Sequence, residues 1–207
     1  MAKVDQVFVT KIYRGSLKGR ANHDLNAELL RAIETVAAED HAGQAWSEDK
    51  GYKGYTSYAS LTDLTWRMPE FADLETMITE HVKLFAKELD LDLRGRALGL
   101  DSLWINVLAP GGVHSGHIHP HSAISGTYYV QIPDGASAIR FEDPRLAMMM
   151  AAPPRREKAR LENRNFISQQ PKPGTLLLWE SWLRHEVPMN TADDDRISVS
   201  FNYALTD

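Results

Sequence analysis

Cysteine is absent from the 207-residue sequence. Disulfides and thiolate metal sites are thereby excluded, and any bound metal must be held by His, Asp or Glu. Long uncharged apolar runs are also missing, so no segment reads as a membrane span. Neither sign of charge dominates: 23 basic against 28 acidic residues leave a net charge of -5. That balance gives no global field for nucleic acid or for an anionic membrane, and neither is expected as a partner. There is no internal repeat and no low-complexity stretch. The opening run, Met-Ala-Lys-Val-Asp-Gln-Val-Phe-Val-Thr-Lys, has no apolar stretch of signal-peptide length, and a cytoplasmic protein is expected.

What is present is an ordinary globular balance, 43% hydrophobic and 25% charged. The length suits a single domain over 1–207 able to bury a sizeable core. Val4–Tyr13 is β-branched and aromatic, which predicts a strand. Asn22, His23 and Asp24 offer N-cap candidates. Leu25, Leu29, Leu30, Ile33, Val36 and Ala37 recur at helical spacing, so a helix is predicted over roughly 23–39, ending before His41-Ala-Gly43. Residues 43–60 read as a glycine-containing loop with aromatic anchors. Pro69 opens a second helix. Its stripe of Phe71, Leu74, Met77, Ile78, Val82, Phe85 and Leu89 runs to about residue 90.

From about residue 95 the pattern turns to short β-rich segments separated by Gly, Pro, Asn or Asp. These are 96–100, 102–108, 123–132, 136–141, 166–169, 174–179 and 196–203. Such punctuation predicts an all-β barrel or sandwich. The fold class expected is therefore α+β, mainly β: a helical support region over 1–93 and a β core over 94–207, with an insertion at about 144–165. That insertion carries Arg155, Arg156, Lys158, Arg160 and Arg164 with two glutamates interleaved. It reads as a solvated, partly helical loop, with contact to an anionic substrate as the alternative.

Four of the eight histidines fall between His114 and His121, in a glycine-rich turn between two apolar segments. His117 and His119 are two apart, so at a strand end they point to one side and can share a metal ion. His114 and His121 read as loop residues or outer support. A third histidine, His185, follows the apolar strand Thr-Leu-Leu-Leu-Trp179. Farther on, Arg196, Ser198, Ser200 and Asn202 alternate with Ile197, Val199, Phe201 and Tyr203. One face of that last strand is polar and begins with an arginine, whose planar fork suits a carboxylate. A His-x-His pair, a distant His and an Arg-x-Ser stand in the order expected of an iron(II)/2-oxoglutarate oxygenase.

Several ordered stretches carry a closer resemblance. They are His117-Ile-His119-Pro-His-Ser-Ala-Ile-Ser125-Gly126-Thr-Tyr-Tyr-Val, Phe141-Glu-Asp-Pro-Arg145, Ser181-Trp-Leu-Arg-His185 and Arg196-Ile-Ser-Val-Ser-Phe-Asn202. Together they resemble a family of 2-oxoglutarate–iron(II) oxygenases related to prolyl hydroxylases. The resemblance implies a double-stranded β-helix, a jelly-roll or cupin-like barrel, with N-terminal helices packed on one face. It implies Fe(II) held by His117, His119 and His185, with His117 and His119 ending one strand and His185 starting a late one. Arg196 and Ser198 would anchor the C5 carboxylate of 2-oxoglutarate, with Tyr129, chosen over Tyr128, touching the same group. Thr127 and Gln131 would share the inward face, and Asn106 would line the cavity. The implied reaction hydroxylates an unidentified substrate, with O2 and 2-oxoglutarate as small-molecule co-substrates and succinate and CO2 as products. Pairing into a homodimer through an edge strand or a helix is the assembly that the resemblance suggests.

One departure matters. The family's usual motif has Asp or Glu where His119 stands, so three imidazoles leave the site more positive by one charge. Glu142 or Asp143 on a neighbouring segment is the alternative third ligand. Two other readings stay open: a cupin-like metal-binding module without turnover, and a three-His dioxygenase that uses no 2-oxoglutarate.

Overall fold

The structure is a computed structural model that describes residues 1–17 and 24–206. In chain order its elements are β1 (Ile12–Ser16), α1 (Leu25–Glu39), α2 (His41–Asp49), β2 (Gly54–Thr56), α3 (Leu64–Arg67) and α4 (Pro69–Glu88). They continue as β3 (Ala97–Leu108), β4 (His114–His117), β5 (Ile124–Gln131), β6 (Ile139–Glu142), β7 (Phe166–Gln169), β8 (Thr175–Glu180), β9 (His185–Val187) and β10 (Arg196–Thr206). The strands form two antiparallel sheets. The larger runs β1-β8-β5-β10-β3-β2 and the smaller β4-β9-β6-β7. This is a double-stranded β-helix. No ladder among the described residues joins the two sheets, so the expected barrel is a stack of sheets rather than a closed ring.

Strand parity sorts the larger sheet into two faces. Ile197, Val199, Phe201 and Tyr203 of β10 join Tyr128 and Val130 of β5 and Leu176 and Leu178 of β8 in one core. Leu25, Leu29 and Ile33 of α1 and Phe71, Leu74, Ile78, Val82 and Phe85 of α4 cover that face, the helices being amphipathic at the spacing read from the sequence. Each such fully buried side chain contributes about 1.5–3 kcal/mol over its exposed state. Tyr129, Leu177 and Trp179 fall on the opposite face and form a second cluster with Ile139 and Phe141 of the smaller sheet. The polar half of β10 therefore looks into the space between the sheets.

Three expectations need correction. The strand expected over Val4–Tyr13 begins only at Ile12, because Val4, Val7, Phe8 and Val9 are exposed with no strand to pair with. Their β-propensity had nothing to act on. The helix expected to stop before His41-Ala-Gly43 does end at Glu39, and α2 follows it directly. Asp40 ends α1 and caps α2 by accepting from the Gly43 N–H at 3.0 Å. Of the N-cap candidates for α1, Asp24 is the cap and accepts from the Ala27 N–H; Asn22 and His23 lie outside the described residues. Residues 43–60, expected as loop, thus hold most of α2 and the edge strand β2. The segments 96–100 and 102–108 are one strand, β3, paired with β10 along its length.

The 144–165 segment contains two short 3-10 turns, Leu146–Met148 and Leu161–Asn163, and its five basic residues are all exposed. No helix among the described residues is long and apolar enough to cross a membrane.

Candidate metal centre

His117 closes β4 and His185 opens β9, and the two residues are Cα partners in the β4–β9 ladder. His119 lies two residues past the end of β4, and its backbone N–H donates to the Ser181 carbonyl at 3.0 Å. A short sheet and one turn thus bring together two segments far apart in sequence. The three imidazoles each offer a nitrogen, and these nitrogens all lie within 4.8 Å of one another. The His119 and His185 rings are parallel within 9°, with their Nε2 atoms 3.4 Å apart.

Backbone carbonyls set two of the tautomers. His117 Nδ1 donates to the Ser115 carbonyl at 2.7 Å, and His185 Nδ1 to the Leu183 carbonyl at 2.9 Å. A carbonyl can only accept, so both Nδ1 atoms carry the proton and both Nε2 atoms present lone pairs. Burial lowers His185 to a pKa of about 3, with the nearby His117 adding to the effect. His119 falls to about 4 for the same reasons in the same order. Neutral imidazoles with aimed lone pairs are the form that a metal requires.

The alternative carboxylates are committed elsewhere. Asp143 is held by Arg145 at 2.8 Å, and Glu142 by Arg184 at 3.2 Å. Neither belongs to the histidine cluster.

Beyond the histidines a cavity of about 580 Å³ opens between the sheets. Arg196, Ser198, Tyr129, Asn106 and Thr127 all line it. Gln131 does not. A bulge in the β5–β10 pairing sets Gln131 opposite Ile197 and Tyr129 opposite Ser198, which breaks parity, and the Gln131 amide donates to the Asp195 carbonyl instead. Tyr128 points the other way and donates to Asn26 Oδ1 at 3.0 Å. Asn106 is largely occupied: its Oδ1 accepts from Thr56 at 3.2 Å and its Nδ2 donates to Ser200 at 3.0 Å.

Arg196 is 3% exposed, and no carboxylate pairs with it among the described residues. Its Nε donates to the Ser137 carbonyl at 3.2 Å, and its guanidinium lies 5.1 Å over the Tyr129 ring. The Tyr129 hydroxyl is buried without a hydrogen-bond partner, and burial raises its pKa. The Trp179 Nε1–H, on the same wall and packed against His185, also has none. A buried cation without an anion is costly, and so is a buried unpaired hydroxyl. Both are met if a carboxylate enters beside them.

Two further groups go beyond the sequence reading of His114 as a loop residue or outer support and of 43–60 as a loop with aromatic anchors. His114 opens β4, and its Nε2 lies 2.7 Å from the Tyr52 hydroxyl. Burial first, then the charges of His117 and Arg196, lower it to about 4. Trp46, Tyr58 and Trp104 form an aromatic wall of the cavity. The only sequence signal for Tyr52, Trp46 and Tyr58 was a density of aromatics in the glycine-containing stretch 43–60. His121 is exposed and outside the cluster, and Trp182 is exposed, whereas Trp179 is part of the packing beneath His185.

Residues 102–202 match the family described as Putative 2OG-Fe(II) oxygenase. Among solved structures, the chain is similar to a prolyl-4-hydroxylase from Pseudomonas putida. The TM-score is 0.61 at 13% identity, over 94% of this chain and 93% of that one. It is similar also to EctD from S. alaskensis, solved with 2-oxoglutarate and 5-hydroxyectoine (TM-score 0.64, 14% identity, 94% of this chain, 72% of that one). HygX from Streptomyces hygroscopicus, solved with nickel and 2-oxoglutarate bound, gives 0.59 at 14% identity, over 95% of this chain and 83% of that one. At these identities the likeness is one of fold. No curated protein matches the sequence.

Proposed function

We propose, for a chain whose residues 102–202 belong to the 2OG-Fe(II) oxygenase family, an Fe(II)- and 2-oxoglutarate-dependent oxygenase that hydroxylates a substrate still to be identified. His117, His119 and His185 would hold the iron through their Nε2 atoms. When bound, the iron supplies oxygen activation coupled to the conversion of 2-oxoglutarate to succinate and CO2. The observation that carries this reading is Arg196: a buried guanidinium without a carboxylate, facing the same cavity as the three histidines.

The chain's own residues have separable tasks. Arg196 offers its fork to the far carboxylate of 2-oxoglutarate, and Ser198 and Tyr129 offer hydroxyls beside it. Asn106 lines the same wall and fixes Ser200. The Ser115 and Leu183 carbonyls keep the metal-facing nitrogens of His117 and His185 free of protons. Trp179, Phe141 and Trp104 pack around the histidine rings and keep water from their backs. The proposal includes action as one domain and a cytoplasmic location.

The test is an anaerobic titration with Fe(II) and 2-oxoglutarate that follows the metal-to-ligand charge-transfer band. The band should appear in the wild type and should need on the order of a hundredfold more 2-oxoglutarate in Arg196→Ala, the loss of two charge-assisted hydrogen bonds. Iron bound without a band would instead favour a three-His dioxygenase whose Arg196 meets the acid group of the substrate itself. The all-histidine ligand set is the observation on that side.

A further inference from the structure

The cavity has two chemically different ends. Arg196, Ser198 and Ser200 line it from one strand, and Arg196 and Ser200 are about 13 Å apart at roughly 3.3 Å per residue. Trp104 is the β3 partner of Ser200, so it stands at the end away from the arginine. Its indole is buried and lies 5.8 Å from the His119 ring. Tyr58 meets Trp104 edge-on at 5.3 Å, with the rings at 75°, and Trp46 meets Tyr58 at 6.2 Å. Burial falls off from buried Trp104 to half-buried Trp46 and exposed Tyr58. The result is an aromatic slot that begins beside the metal cluster and opens to solvent.

Charge in the cavity is one-sided. Among the described residues no Asp or Glu lines it, and Lys50 and Arg196 are its only permanently charged side chains. Arg196 sits at the far end. Lys50 is at the mouth, exposed, with its sequence neighbour Asp49 beside it at 2.7 Å, a pair of little strength in water. The volume of about 580 Å³ exceeds what one small dicarboxylate fills, since pockets of about 300–1,000 Å³ take drug-sized ligands.

We infer that the Trp46–Tyr58–Trp104 slot is the substrate subsite and that it takes a planar aromatic compound that is neutral or carries an acid group. The ring packs against the wall that Trp104 and Tyr58 form edge to face, which presents the substrate's C–H bonds to the histidine cluster. Lys50 meets the acid group at the mouth. A cationic substrate would find aromatic faces but no counter-charge, and would face Lys50 besides. The inference rests on the proposed reading in assigning the arginine end to 2-oxoglutarate.

The experiment is ligand-observed NMR on the full chain with indole-3-acetate, indole and tetramethylammonium as probes, with and without saturating anaerobic Fe(II) and 2-oxoglutarate. Indole-3-acetate is expected to bind in both states and more tightly than indole. Tyr58→Ala should weaken it about tenfold, the loss of one aromatic face, and Lys50→Glu should weaken indole-3-acetate but not indole. The exposed positions of Tyr58 and Lys50 keep both variants foldable. Tetramethylammonium binding as tightly as indole-3-acetate would overturn the inference, as would complete displacement of indole-3-acetate by 2-oxoglutarate. Because binding is read without turnover, a missing charge-transfer band sinks the 2-oxoglutarate reading while leaving the aromatic subsite testable.

Discussion

His117 and His185 are directly opposed in the β4–β9 ladder, although 67 residues of chain lie between them. A metal held by both would pin a three-residue strand to a four-residue one, across a ladder with only two register pairs. Metal that binds only the folded chain at a hundredfold over its Kd adds about 2.7 kcal/mol. Fe(II) or Co(II) under anaerobic conditions should raise Tm by roughly 5–10 °C over the EDTA-treated protein. His185→Ala should show no such rise. An unmoved Tm in the wild type would remove the metal assignment.

Tyr129→Phe separates stability from ligand binding. The hydroxyl is buried and unpartnered, so its removal should leave Tm unchanged or raise it slightly. The same change should weaken 2-oxoglutarate by about fivefold, the worth of one hydrogen bond near 1 kcal/mol. A large drop in Tm with unchanged 2-oxoglutarate affinity would show the hydroxyl to be structural.

Acid should destabilise the metal-free protein earlier than carboxylate protonation alone would. In the unfolded chain the imidazoles titrate near 6.5. In the folded chain His185 titrates near 3 and His114 and His119 near 4. Between those limits the unfolded state takes up protons that the folded state refuses. Stability is therefore fully present above about pH 6.5 and falls as the pH drops towards 4 and 3. Urea midpoints in EDTA should decline between about pH 7.5 and 5, a range in which histidine is the side chain that titrates. A flat profile over that range would contradict it.

Gly126 of β5 faces Phe201 and Leu178, both fully buried. A Cβ there would come to 2.6 Å from Leu178 Cδ2 and closer still to the Phe201 ring. Gly126→Ala should cost about 1–3 kcal/mol by overpacking. Paired with Phe201→Leu, it should recover part of that loss in denaturant melts, because the smaller side chain frees the space.

Much of the centre could be read from sequence because strand parity is strict. The spacing in His117-x-His119 and in Arg196-x-Ser198 fixes which residues share a side, and the alternation in 196–203 separates helix face from cavity face by residue order alone. The choice of Tyr129 over Tyr128 comes from the resemblance to the family rather than from parity. Parity fails where the ladder slips, and Gln131 is the example: one extra residue in β5 turned it away from the cavity. Tertiary partners were equally invisible. Val4–Val9 has strand-like composition but no strand to pair with, and α2 is set by Asp40, which looks in sequence like the end of α1 rather than the start of a second helix. Tyr52 meets His114, and Tyr58 meets Trp104, only because β2 docks on β3 and brings residues 46–58 over the cavity. No local pattern encodes that docking.

Both borders of the larger sheet come from the first 56 residues: β1 lies along β8, and β2 along β3. The stretch 102–202 that matches the family therefore contains the interior strands of this sheet but neither of its selvedges. Excised, it would present two bare rows of backbone donors and acceptors, and it would do so beside an apolar face stripped of α1 and α4. Such a fragment would meet its own copies edge to edge before it met a ligand. The N-terminal part of the chain thus serves as the hem that keeps this sheet from unravelling into others.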